Sequence, residues 1–96
     1  MVQIIKLEKS RVKGKKYTAI LDNGQRINFG SDVSVTYVEG ASKEKKESYI
    51  KRHLGNETER NRINNLILSP ALLSYYLLWN TNNLDENIKI LNRKLR

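Results

Sequence analysis

Cysteine is missing from this chain, and histidine, tryptophan, proline and phenylalanine occur once each, as His53, Trp79, Pro70 and Phe29. Without cysteine there are no disulfides, no thiolate metal site and no thiol nucleophile, and an intracellular compartment is the straightforward expectation. One histidine with no thiolate beside it cannot build a structural zinc site. The five glycines, Gly14, Gly24, Gly30, Gly40 and Gly55, are too scattered to cradle a phosphate, and no nucleophile motif is present. No run approaches the roughly 20 apolar residues of a membrane span, and the N-terminus lacks the apolar segment of a signal peptide. Repeats and low-complexity segments are absent too. The expectation is a soluble protein that is not an enzyme, with no cofactor, no metal site, no transmembrane segment and no small-molecule substrate.

Acidic residues are scarce as well. Ten Asp+Glu against 18 Lys+Arg leave a formal net charge of +8 and a pI near 9.9. Such an excess sets up a positive potential that draws polyanions, nucleic acid first, anionic lipid second and an acidic protein surface third. A length of 96 residues predicts one domain, close to the smallest size that buries a useful core without staples. We expect it to span 1–96, with a β-rich part over 1–40 and a helical part over 41–96.

What the chain does have is one strongly apolar stretch, residues 69–80, reading Ser-Pro-Ala-Leu-Leu-Ser-Tyr-Tyr-Leu-Leu-Trp-Asn. Ser69 can cap a helix by accepting from its first free N–H groups, and Pro70 at the first helical position gives up an N–H that has no partner there. From Ala71 to Trp79 nearly every side chain is apolar or aromatic, so the helix must be buried on most sides. Two turns cannot fold alone. The flanking segments must wrap them.

Residues 2–7 suit a strand. From Lys6 to Lys16 there are six basic residues and one acid, with Gly14 as a turn. Such a run is a solvated loop or a flexible basic loop that lies on phosphates. Residues 17–29 carry a hairpin signal, since Asn23-Gly24 accepts the positive φ angles of a two-residue type I′ turn. If Asp22 sits opposite Gln25, Ile20 faces Ile27 and Thr18 faces Phe29 on the inward side. Residues 33–38 alternate well enough for another strand or extended edge. Ser42 then caps a helix through Leu54, closed by Gly55 in the left-handed conformation. Asn56 with Glu59 resembles a capping pair opening a short helix within 57–68. Asn83 with Glu86 opens the last helix, whose Leu84, Ile88, Leu91 and Leu95 form one apolar stripe. The fold class predicted is α+β, a small N-terminal antiparallel sheet of a β-hairpin plus flanking strands packed against three or four short C-terminal helices.

His53 has only Tyr49, Glu57 and Glu59 as plausible neighbours in sequence. Its simplest role is at a helix C-terminus, against the last carbonyls. Tyr75, Tyr76 and Trp79 could stack on bases, but their spacing inside an apolar helix reads as core. The functional candidates are cations, chosen by density: Lys9, Arg11, Lys13, Lys15 and Lys16 in the first loop, Lys43, Lys45, Lys46, Lys51 and Arg52 on the helix after Ser42, and Arg93, Lys94 and Arg96 at the end of the chain. If these groups share a side they form one patch. If they point apart, the protein could bridge acidic surfaces.

The chain also resembles a family of small basic uncharacterised proteins of nucleocytoplasmic large DNA viruses. The residues that carry this are Phe29-Gly30, Tyr37, the run Tyr49-Ile50-Lys51-Arg52-His53, the run Leu73-Ser74-Tyr75-Tyr76-Leu77-Leu78-Trp79-Asn80, and Leu84 to Ile88, in the family's order. Thr36 replaces the family's usual acid before Tyr37, Gly40 stands where it often has histidine, and Asn64-Asn65-Leu66 replaces a loop usually richer in Asp, Thr and Gly. The resemblance implies an origin in a large DNA virus and a virion- or genome-associated role, and it makes His53 and Trp79 framework residues. It brings no established activity. Two readings result. The first is a viral protein that binds nucleic acid without sequence preference through its Lys/Arg surfaces. The alternative is a minor capsid or cement protein that contacts acidic capsid protein or the inner membrane. Location in the virion, or inside the host cell, is expected for both, and a homo-oligomer is compatible with either.

Overall fold

The computed structural model describes residues 2–33 and 35–96. The fold is α+β, an N-terminal three-stranded antiparallel sheet followed by four helices. Strands β1 (Ile4–Lys9), β2 (Lys15–Leu21) and β3 (Arg26–Ser31) lie side by side in chain order. The loop between β1 and β2 is hydrogen-bonded at both ends. Ser10 N–H donates to Lys16 O, and the Ser10 hydroxyl accepts from Val12 N–H and donates to Asn28 Oδ1.

The hairpin register departs from the expected one by a single residue. Tyr17 pairs with Phe29, Thr18 with Asn28, Ala19 with Ile27 and Ile20 with Arg26. Leu21 N–H donates to Gln25 O and Gly24 N–H to Leu21 O, both at 2.9 Å, so the loop is Asp22-Asn23-Gly24 and only Gly24 needs a positive φ, 87°. A one-residue slip sends every side chain to the other face. Here it gathers Tyr17, Ala19, Leu21, Ile27 and Phe29 on one side, where Ala19, Leu21 and Phe29 are fully buried. The expected register would have split those five between core and solvent. Their joint burial outweighs the local preference of Asn-Gly for a two-residue turn.

Among the described residues of 33–38 there is no strand and no added edge to the sheet, contrary to the expectation of one there. Of that segment Ser34 lies outside the described residues, and Tyr37–Glu39 is a single 3-10 turn. Its cause is local. The Glu39 carboxylate accepts from both the N–H and the hydroxyl of buried Thr36, at 3.1 and 2.9 Å, which is a capping box.

Helix α1 (Lys43–Leu54) starts as expected, with the Ser42 hydroxyl accepting from Lys45 N–H. Its end differs. Gly55 stays right-handed at φ −76°, because Asn56 immediately caps α2 (Glu57–Asn64) through Glu59 N–H. The left-handed residue comes later and is Leu66, φ 52°, which lets Ile67 N–H return to Arg62 O. A leucine there costs roughly 1 kcal/mol, and its side chain packs on the core.

Ser69 caps α3 (Pro70–Leu73) by accepting from Leu72 N–H, and the helix continues as a π-helical segment, Ser74–Leu78. The leucines explain the change. Leu72, Leu73, Leu77 and Leu78 are all buried, as two pairs five residues apart. An α-helix turns such pairs away from each other, whereas i→i+5 bonding brings both onto one face. That face meets the sheet, and helix α4 (Leu84–Leu95) closes the core with Leu91, flanked by Leu84, Ile88 and Leu95.

Two asparagines fasten α4. Asn87 is fully buried. Its amide donates to Leu77 O and Thr81 O, and its oxygen accepts from Thr81 N–H and hydroxyl, so all its capacity is used where the π-helical segment ends. The Asn92 side chain accepts from Ile4 N–H at 2.8 Å and donates to Ile4 O at 2.9 Å, standing in for a neighbouring strand beside the bulge at Ile5.

Candidate functional site

Helical spacing places Tyr49, Arg52 and His53 on one side of α1. Tyr49 is stacked on Trp79, ring centroids 4.3 Å apart and 9° from parallel, and its other side meets the His53 ring at 4.0 Å. Trp79 is thus a core residue, 7% exposed, and the partly buried Tyr75 and Tyr76 pack edge to face beside that core. His53 Nδ1 comes within 2.5 Å of Glu59 Oε2 on α2, at contact distance but without the geometry of a hydrogen bond. Glu59 therefore answers the sequence's question about His53.

One turn further along α2 stands Arg62. Across from it, β2 begins at Lys15, next to Gly14, while Gly30 and Ser31 end β3. With Pro70 and Ala71 of α3, and Ser74, Leu78 and Trp79 after them, these residues line an open cleft of about 380 Å³. The β3 end approaches the helix closely at Gly30, φ 81°, where an added Cβ would sit 3.0 Å from Leu78 Cδ1.

The electrostatics are one-sided. Lys15, Arg52 and Arg62 are all exposed, and among the described residues none of the three is in an ion pair. The Arg52 guanidinium lies 5.9 Å from the Tyr49 ring centroid, a cation–π distance. The carboxylate in the cleft is Glu59, beside His53. Burial pushes the Tyr49 phenol up to about 12. Ser74 draws it back in part, Glu59 adds to the rise, and Arg52 opposes it.

The other candidate cations fall into four situations. Lys9, Arg11, Lys13, Lys15 and Lys16 line a second depression with Asp32 and Glu39, and Lys15 belongs to both this and the cleft. Within it the Lys16 ammonium pairs with Glu39. Burial works to raise the Glu39 carboxyl, but Lys16 and the Thr36 amide and hydroxyl outweigh it and hold the group below its ordinary value. Lys46 is turned inward, donating to Asn80 O at the end of the aromatic stretch and standing 4.8 Å from the Tyr37 ring centroid. Lys43, Lys45 and Lys51 are exposed on α1; Lys45, seven residues before Arg52, shares its stripe, and the other two fall on other faces. Arg93 and Arg96 line a third depression with Lys89, Asn92 and Gln3, and Lys94 lies over the Tyr76 ring at 5.9 Å. That depression shares no residue with the cleft.

The structure thus brings together Lys15 and Arg52 and joins to them Arg62, which density along the sequence overlooked. The available signal was helical. Arg62 stands three residues after Glu59, and Glu59 was already a neighbour proposed for His53. Among the described residues no group of three or more His, Cys, Asp or Glu could hold a metal ion, and no helix is long and apolar enough to cross a membrane.

A family model matches residues 5–53, just over half of the 96-residue chain. The chain belongs to the family of unknown function DUF5754. The DUF5754 match runs from β1 to the end of α1, so it includes Lys15, Arg52 and His53 but stops short of Arg62 and the Trp79 wall. No curated protein and no solved structure matches the chain.

Proposed function

We propose that this protein binds nucleic acid without sequence preference, through the cations of the cleft and of the loop beside it. One observation carries the reading. Lys15, Arg52 and Arg62, from three separate elements, line one cleft in which the carboxylate, Glu59, lies against His53 and pairs with none of the three, and that cleft adjoins a loop bearing Lys9, Arg11 and Lys13. Cations left unpaired at close quarters repel one another, and phosphates relieve that repulsion while releasing their own counter-ions. The resemblance to small basic proteins of large DNA viruses supports a place with a viral genome or in a virion. Affinity for a random-sequence DNA duplex is expected to fall by about 10²-fold between 50 and 200 mM salt if some four phosphates are neutralised. Absence of binding at low salt would remove the reading.

A second reading rests on the separateness of the C-terminal depression. Arg93 and Arg96 face a different place from the cleft, so the molecule could join two acidic surfaces, as a minor capsid or cement protein would. Charge removal at Arg93 and Arg96 would then abolish incorporation into particles while leaving DNA binding intact.

A further inference from the structure

The cleft is lined by two unlike kinds of residue. Lys15, Arg52 and Arg62 bring positive charge to its lining, and Pro70 and Ala71, in front of buried Leu78 and Trp79, bring apolar surface. A nucleotide has the same division, a phosphate at one end and a flat apolar face on its base. The volume, about 380 Å³, lies within the range of roughly 300–1,000 Å³ typical of small-molecule sites. Ser31 and Ser74 bring hydroxyls to the same lining. Polar groups of this kind suit a sugar or a base edge.

We infer that the cleft seats one unpaired nucleotide of a single strand, its phosphate on Lys15, Arg52 and Arg62 and its base against Pro70 and Ala71. The inference rests on the nucleic-acid reading above and narrows it. In a duplex the base faces are stacked and paired, so a duplex can reach the rim cations but cannot fill the apolar side. Trp79 takes no base itself, because Tyr49 covers it. As the sole tryptophan it nevertheless reports on the cleft it lines.

The test follows Trp79 emission while the full chain is titrated at 50 mM salt with a ten-residue deoxythymidine strand, with a ten-base-pair duplex, and with thymidine monophosphate. The strand is expected to shift the emission and to bind about tenfold tighter than the duplex, in keeping with one stacked or buried base. The monophosphate is expected to give the same shift at higher concentration. Arg62→Ala removes an exposed side chain with no ion pair, so the fold is kept, as a thermal melt can verify. It is expected to weaken strand and duplex alike, each about tenfold, because both place a phosphate on Arg62, so that the preference for the strand survives in the variant. Equal binding of strand and duplex with Trp79 unmoved overturns the inference and leaves the nucleic-acid reading standing. Monophosphate binding as tight as the strand overturns the strand assignment in favour of a free nucleotide. Binding of none of the three overturns both.

Discussion

Asn87 shows how much one side chain can hold in a chain this small. It is fully buried, and its amide ties Leu77 and Thr81 across the end of the aromatic stretch. Asn87→Ala takes its partner from the buried Leu77 carbonyl and from the half-buried Thr81 carbonyl and N–H, so a loss of about 3 kcal/mol is expected in urea denaturation. A loss under about 1 kcal/mol would mean that water replaces the amide. Tyr49 gives a pH signature. Its phenol is raised to about 12 chiefly by burial, so folded and unfolded chains are alike below pH 10. Above that, the unfolded tyrosine ionises first. Stability is therefore expected to decline as pH rises from about 10 through 12, and Tyr49→Phe should lose that part of the decline. Neither role was visible in residue type. An asparagine inside an amphipathic helix reads as surface, and only its neighbours in space make it core.

Among elements, the helix caps were legible and the β-register was not. Ser42, Asn56, Ser69 and Asn83 each cap the helix expected of them, because a cap needs only three or four consecutive residues. Register depends on which face the rest of the molecule covers. The apolar set of Tyr17, Ala19, Leu21, Ile27 and Phe29 carries the register, and it competes with the local preference of Asn23-Gly24 for a two-residue turn. The alternation over 33–38 misled for the same reason, with Thr36 and Glu39 forming a capping box instead of a strand. The π-helical turn was encoded in leucine pairs five residues apart. Gly30 marks where β3 meets that turn, with a positive φ and Leu78 only 3.0 Å from any added Cβ. Gly30→Ala is expected to cost about 2–3 kcal/mol through strain and overpacking. A thermal melt within a degree of wild type would show that the two elements slide apart freely.

For the molecule as a whole, composition gives the net charge of +8 and the fold distributes it. The candidate cations are not one patch. The first loop and Arg52 share a region with Arg62, Lys16 and Lys46 are engaged within the protein, and Arg93 and Arg96 lie in a depression of their own. A sequence lists charges without saying which are already neutralised, and that difference decides the account. The most direct measurement is the salt dependence of DNA affinity for the native chain beside a Lys15→Gln, Arg52→Gln, Arg62→Gln variant. The native chain is expected to lose affinity log-linearly with salt, and the variant to show a slope shallower by about 2 to 3. Identical slopes for the two proteins would contradict the placement of phosphates in the cleft.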